Sequence, residues 1–133
     1  MYILATLSPM VNVRLVQVES SDSEEPAARI SRVLGELATH AMAADVVVLP
    51  ELWHVGAFNL AAVHECAQPV DGELVTRLGE IARVTQTWIH GGSIAIAQPH
   101  GKAWNMAFLF GPDGSVRARY AKRQLFGFAD GER

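Results

Sequence analysis

Residues 46–53 have the sequence Val46-Val47-Val48-Leu49-Pro50-Glu51-Leu52-Trp53, which predicts the central part of the fold. Its first four residues are apolar without polar alternation, a pattern typical of a β-strand that is covered on both faces. Pro50 ends that strand, because proline cannot donate a hydrogen bond to a neighbouring strand. Glu51 therefore follows the carboxyl end of a buried strand, where open α/β sheets place their ligands. This position makes Glu51 a candidate catalytic acid or base.

Further strands and helices are predicted on both sides of this stretch. Strand patterns cover residues 11–18, 46–49, 88–96, 105–110 and 116–120, and the first strand is expected to be largely buried. Apolar residues recur at helical spacing in residues 30–41 and 74–85, and a short helix is expected at residues 60–67. This order predicts the α/β class, with a mixed sheet and helices packed on it. Both long helices can cover one sheet face, whereas the other face, also apolar, needs a covering layer.

Four local details can also be predicted. Ser23 and Asn59 are candidate N-caps of the first and second helices. Arg29 falls off the apolar stripe of the first helix and is expected at the surface. Gly91-Gly92 lies inside a strand pattern, which indicates a β-bulge or a close approach of another backbone segment.

Composition limits the classes of function. The chain has 133 residues, of which 50% are hydrophobic and 19% charged, as in a soluble globular protein. The net charge of −3 favours neither nucleic acid nor an anionic membrane as a partner. Apolar runs are far shorter than the roughly 20 residues of a membrane span. The single cysteine, Cys66, excludes an internal disulfide framework, and the five histidines lack metal-ligand spacing. A cytoplasmic location without a metal site is expected.

The first nine residues differ in character from the rest of the chain. Residues 1–9 are mildly apolar but lack the basic region and cleavage site of a signal peptide. We expect an additional N-terminal arm ahead of a domain at residues 10–133. A short added edge strand is the alternative.

A lysine follows a later strand in Tyr120-Ala121-Lys122-Arg123-Gln124-Leu125-Phe126. An ammonium group beside a reacting carbonyl can stabilise a developing oxyanion. Taken alone, the basic residues around Lys122 could instead form a solvated strand face or, as a weaker alternative, a nucleic-acid patch. Glu51 has an alternative too, as an exposed loop residue that caps the next turn. If it is catalytic, burial at the strand end is expected to raise its pKa.

Leu-Pro-Glu-Leu-Trp at residues 49–53 and Tyr-x-Lys-x-x-Leu-Phe at residues 120–126 resemble two signatures of the nitrilase, or carbon–nitrogen hydrolase, superfamily. The resemblance covers residues 10–133 and includes Gly91-Gly92-Ser93 and Asn105. It implies an α-β-β-α sandwich of which this chain supplies about the first half. It also implies hydrolysis of a small amide or nitrile, with the amidase type favoured, no cofactor, and a homo-oligomeric complete protein.

The resemblance assigns roles to the two signature residues. Glu51 would act as base and then acid, and Lys122 would hold the negative charge of the intermediate. The nucleophile of the superfamily is a cysteine beyond the lysine, and none follows Lys122 here. The chain is therefore expected to be a truncated hydrolase, inactive alone. The alternative is a non-catalytic half-domain that binds or completes a partner chain. A third alternative, an unrelated flavodoxin-like binding module, is not supported, because this sequence has no Gly-rich or Ser/Thr-rich phosphate loop.

Several other residues receive provisional roles from the resemblance. Glu132 is a candidate for the second glutamate of the superfamily, which positions the lysine and the substrate. Trp53, His54 and Phe58 either line a substrate pocket or pack the loop after Glu51. Cys66 precedes the lysine and is interpreted as structural. Gln124 replaces a histidine of many relatives, which puts only a secondary contact in doubt.

Overall fold

The computed structural model describes residues 10–21, 23–56 and 59–124. Its elements are, in chain order, β1 (Val13–Leu15), α1 (Pro26–Ala41), β2 (Val46–Val48), α2 (Leu60–Glu65), α3 (Glu73–Thr85), β3 (Trp88–Ala97), the 3₁₀ turn Pro99–Gly101, β4 (Ala103–Phe110) and β5 (Val116–Ala121). The proposed arm, residues 1–9, lies outside the described residues. None of the described helices combines the length and the apolar character required to cross a membrane.

The five strands form one sheet in the order β1-β2-β3-β4-β5. The first three strands are parallel, and β4 and β5 continue the sheet in antiparallel fashion. Parallel neighbours need a crossover connection, which α1 supplies between β1 and β2, and α2 and α3 supply between β2 and β3. The predicted α/β class and mixed sheet are confirmed.

Both long helices lie on one face of this sheet and contact each other. Their apolar stripes pack with strand residues in a single core. That core comprises Val33, Leu34, Leu37, Ala41, Val47, Leu49, Trp53, Leu74, Val75, Leu78, Ala82, Ile89, Ile94, Ile96, Met106, Phe108 and Phe110. A smaller cluster joins α2 to the loop after β2 and to Ala95 and Ala103. Burial of these side chains is the main source of stability.

The opposite face of the sheet is apolar and open over most of its width. Val13, Leu15 and Tyr120 are 51%, 76% and 60% exposed. The expectation of a largely buried first strand is wrong, because β1 is an edge strand with only one face covered. The prediction that β2 is covered on both faces is also wrong: Val47 is buried, whereas Val46 and Val48 are only half-buried. The exposed apolar residues agree with the expectation of a second covering layer, which stays a prediction. We call this surface the open sheet face.

Two of the local predictions at the helices are wrong. Glu25 rather than Ser23 is the N-cap of α1, and its side chain makes no capping hydrogen bond. Arg29 is buried, with 2% exposure, because its Nε donates to the Glu24 carboxylate at 3.0 Å and its guanidinium also donates to the Ser21 carbonyl oxygen. The Asn59 cap is confirmed, since its Oδ1 accepts a 3.1 Å hydrogen bond from the N–H of Ala62.

Candidate active site

The turn after β2 is held by hydrogen bonds to β3. The N–H of Leu52 donates to both the carbonyl oxygen and the Oγ of Ser93, each at 3.1 Å. The N–H of Ser93 donates in return to the carbonyl oxygen of Pro50 at 3.3 Å. Leu52 has φ of 45°, a left-handed conformation that is uncommon for residues other than glycine. These contacts with β3 hold the backbone on both sides of Glu51 in place.

A β-bulge in β3 makes room for this turn. The register of β3 against β4 shifts between His90 and Ser93. Gly92 has φ of +65°, and a Cβ at this position would lie 2.0 Å from the carbonyl oxygen of Pro50. Glycine is required there both for its conformation and for the close approach. The predicted bulge at Gly91-Gly92 is confirmed.

The two signature residues meet at this turn. The Nζ of Lys122 donates to Oε1 of Glu51 at 2.7 Å, although 71 positions separate them in the chain. The Nδ2 of Asn105, on β4, donates to the same oxygen at 2.6 Å. Lys122 follows the last residue of β5, and its own N–H donates to the carbonyl oxygen of Asn105 at 2.9 Å. Three elements therefore converge on one carboxylate oxygen.

This environment changes the ionisation of Glu51. The hydrogen bond from Lys122 lowers the pKa of the Glu51 carboxyl, the hydrogen bond from Asn105 lowers it further, and burial opposes them. The expectation that burial would raise this pKa is wrong, because the lysine lies in direct contact with the carboxylate. Glu51 is thus ionised at neutral pH and able to accept a proton. The pair is half exposed, so solvent weakens its net attraction.

A cavity of about 260 Å³ opens beside this pair on the open sheet face. It is lined by residues of β3, β4 and β5, of the turn after β2 and of the position after β5, among them Glu51, His90, Ser93, Asn105, Tyr120 and Lys122. This volume is near the lower end of the usual range for small-molecule sites. A larger groove of about 760 Å³ lies between α3 and β5 and shares no lining residue with this cavity. Its charged groups include the exposed ion pairs Arg83–Glu80 and Arg117–Asp113. The smaller cavity is therefore the candidate site.

Trp53 and His54 are buried beneath the turn and do not line this cavity. The Nε1 of Trp53 donates to the Gly91 carbonyl oxygen at 3.0 Å. The Nε2 of His54 accepts a 3.3 Å hydrogen bond from the N–H of Ala95, and burial, aided by the nearby charge of Arg29, lowers the pKa of His54 to about 4. These positions favour loop packing over substrate contact. The substrate-lining role of both residues remains a prediction.

Phe58 and Glu132, two other candidate site residues, lie outside the described residues. Cys66 lies at the C-terminal end of α2, partly buried against the smaller apolar cluster. Burial and the neighbouring Glu65 raise the pKa of its thiol, which is unfavourable for a nucleophile. This environment supports the structural interpretation of Cys66. In the described part of the chain, no three potential histidine, cysteine or carboxylate ligands are grouped around a possible metal position.

Asn105 and Ser93 are site residues to which the sequence alone assigned no role. A signal for Asn105 was available, because it is the one amide in the otherwise apolar stretch Ala103–Phe110. A buried amide in a strand needs a hydrogen-bond partner, and that requirement predicts a polar neighbour across the sheet. The identity of the partner could not be predicted, because it depends on the path of the distant turn.

Comparison with known proteins agrees with this geometry. The sequence profile of the family described as carbon–nitrogen hydrolase matches residues 12–133. A 2-oxoglutaramate amidase from Paenarthrobacter nicotinovorans is 39% identical over 97% of this chain and 45% of its own length. The omega-amidase NIT2 from Homo sapiens is 33% identical over 84% of this chain and 40% of its own length.

A solved structure supports the same relationship. The structure of a CN-hydrolase superfamily protein from Xanthomonas campestris superposes with a TM-score of 0.73 at 29% identity, over 87% of this chain and 42% of that chain. This chain therefore spans less than half the length of these relatives. The match to the family over nearly all of its residues shows that the chain belongs to the carbon–nitrogen hydrolase family.

Proposed function

We propose that the complete protein hydrolyses the carbon–nitrogen bond of a small amide and releases ammonia. The observation that carries this proposal is the 2.7 Å contact between Lys122 and Glu51 at the mouth of a cavity. An ionised carboxylate next to an ammonium group supplies a proton acceptor and an oxyanion-stabilising cation in one site. Membership of the family and the amidase names of the relatives support the same reaction.

The proposed mechanism requires a cysteine thiol from sequence beyond residue 133. Glu51 takes the thiol proton, and the sulfur attacks the amide carbon, forming a carbon–sulfur bond and a tetrahedral oxyanion. Lys122 can stabilise that oxyanion, because an ammonium group has three N–H donors and the contact with Glu51 uses one. Glu51 then returns the proton to the nitrogen and ammonia leaves. Water, losing a proton to Glu51, attacks the thioester and releases the carboxylic acid and the thiol. The reaction needs no cofactor or metal.

The substrate class that we favour is the terminal amide of a short 2-oxo dicarboxylic acid. The support is the 39% identical relative, whose name is 2-oxoglutaramate amidase, together with the omega-amidases. The cavity of about 260 Å³ suits a molecule of this size. A nitrile is the less favoured alternative, because the names of these relatives refer to amides.

The test compares the 133-residue chain with a form extended to the next stop codon. Ammonia release is measured with 2-oxoglutaramate, glutamine, simple aliphatic amides and a nitrile. We expect activity in the extended form, with 2-oxoglutaramate preferred. Glu51→Gln and Lys122→Met should each reduce kcat by at least about 100-fold. The matched controls Glu36→Gln and Lys102→Met change exposed residues outside the cavity and should retain activity. Full activity of Glu51→Gln would contradict the proposal.

A non-catalytic half-domain that binds a partner chain is the second candidate function. The observation in its favour is the open sheet face, on which Leu15 and Tyr120 are largely exposed. The partner would cover that face with apolar residues of its own. Mixing the 133-residue chain with the polypeptide encoded after residue 133 tests this candidate. A stable complex without ammonia release would support it, and the absence of a complex would contradict it.

Three remaining expectations belong to this proposal. We infer a cytoplasmic location, supported by the single cysteine and the mild net charge of −3. We also infer a homo-oligomeric complete protein, as expected from the family resemblance. Residues 1–9 are proposed to be an arm ahead of the domain at residues 10–133. Ultracentrifugation of the extended form, with and without the arm, tests the last two inferences.

A further inference from the structure

Asn105 links the two signature residues through different atoms. Its side-chain Nδ2 donates to Oε1 of Glu51, and its carbonyl oxygen accepts from the N–H of Lys122. We propose that Asn105 is a positioning residue for the general base, a role that rests on the proposed amide hydrolysis. Asn105 determines which oxygen of Glu51 stays free to accept the proton. It also sets the position of the lysine relative to the carboxylate.

The two hydrogen bonds to Glu51 fall on the same atom. Oε1 accepts from Asn105 at 2.6 Å and from Lys122 at 2.7 Å, whereas no described residue donates to Oε2. A carboxylate whose first oxygen has two donors keeps the lone pairs of its second oxygen for the incoming proton. Donors from β4 and from the residue that follows β5 also restrict rotation of the carboxylate about its last side-chain bond. Oε2 is thus the atom that receives the thiol proton.

Asn105 lies in a part of the sheet that can hold the Glu51 carboxylate rigidly. The residue is buried in β4, with 8% exposure, between strands β3 and β5. Its main chain pairs with Ala95 of β3 and accepts the hydrogen bond from Lys122 on the other side. The amide therefore cannot follow a displaced carboxylate without disturbing the sheet. Supports built on strands hold a functional group more accurately than supports on loops.

The chemistry of an amide also suits this position. Asn105 is a neutral donor, so it favours the ionised form of Glu51 without adding a second cation beside Lys122. An aspartate of the same shape would place a second negative charge against Oε1 and would oppose ionisation. Asn105→Asp therefore keeps the shape of the side chain but replaces the N–H donor by an acceptor. Asn105→Ala removes the donor altogether.

The first experiment follows the Glu51 carboxyl directly. Chains labelled with ¹³C at glutamate side chains are titrated by NMR, in the 133-residue and extended forms, and the Glu51 signal is identified by its loss in Glu51→Gln. We expect the Glu51 midpoint to rise in Asn105→Ala and to rise further in Asn105→Asp. The control Asn12→Ala removes an amide that donates to Ala43 elsewhere and should leave the Glu51 midpoint unchanged. An unchanged midpoint in both Asn105 variants would overturn the proposal.

The second experiment measures the pH dependence of kcat/KM for the extended form. In Asn105→Ala we expect kcat to fall about tenfold with little change in KM, and the acidic limb to move to higher pH. Loss of activity with an unmoved acidic limb would indicate a merely structural role and would overturn the proposal. If the unsubstituted extended form hydrolyses no amide, the proposed function fails, whereas the NMR titration still decides the role of Asn105.

Discussion

Gly92 lies against the carbonyl oxygen of Pro50 so closely that a Cβ on this residue would be 2.0 Å from that oxygen. The contact places the bulge of β3 directly under the turn that carries Glu51. The geometry of the candidate site thus depends on a residue that makes no contact with substrate in the proposed mechanism. Any side chain at this position must push the turn away from β3.

Gly92→Ala should therefore lower the free energy of unfolding strongly. We expect a loss of at least about 3 kcal/mol, since the change combines a left-handed conformation with a backbone clash. Urea unfolding followed by circular dichroism measures it. Gly101→Ala is the matched control, because Gly101 also has a positive φ, of +73°, but a Cβ there has no neighbour within 4 Å. That control should lose only about 1 kcal/mol. Equal losses in both variants would show that the contact with Pro50 is unimportant.

Acid should destabilise the fold through His54. Its folded-state pKa of about 4 lies below the ordinary value of 6.5, so the unfolded chain binds the proton first as the pH falls. The stability associated with His54 is full above pH 6.5 and is lost as the pH falls from about 6.5 to about 4. The loss amounts to at most about 3 kcal/mol. Free energies of unfolding measured between about pH 4 and pH 7 should show this slope. The slope should decrease in His54→Asn and persist in the exposed control His64→Asn; a slope unchanged by His54→Asn would contradict the assignment.

Removal of Arg29 should destabilise the loop before α1. Its buried guanidinium donates to the Glu24 carboxylate and to two main-chain oxygens, and Arg29→Met leaves those acceptors without this donor. Because Arg32 still pairs with Glu24, we expect a loss of about 2 kcal/mol rather than the larger loss of a fully isolated buried charge. Arg29→Lys should not restore the stability, since an ammonium cannot reproduce the forked geometry. Thermal unfolding measures both variants. The half-exposed Arg77, whose Nη1 lies 3.7 Å from the Glu73 carboxylate, offers the control Arg77→Met, for which we expect almost no change.

Self-association of the 133-residue chain should depend on the open sheet face. Leu15, on the edge strand β1, is 76% exposed, and Leu15→Lys places a charge on an unpaired edge. We expect this change to reduce aggregation, measured by light scattering, without a loss of stability. Met42→Lys changes an apolar residue of similar exposure, 73%, beyond the end of α1 and should have a weaker effect. Equal effects of the two substitutions would indicate general apolar association rather than association through this face.

The sequence by itself determined the features that depend on neighbours along the chain. The periodicity of residues 30–41 and 74–85 predicted the two long helices, and the signatures around Glu51 and Lys122 predicted the family. The Asn59 cap and the bulge at Gly91-Gly92 were also predictable. Each depends on a local backbone requirement that one or two residue types meet.

The tertiary structure alone decided the features that depend on distant partners. Arg29 is buried because the loop before α1 brings a carboxylate and main-chain oxygens to it. Glu51 is more acidic rather than less, because β5 ends where the ammonium of Lys122 reaches its carboxylate. Asn105 acquires its role from the same convergence of strands. Charges and hydrogen bonds act over a few ångströms, and only the folded chain determines which groups come that close.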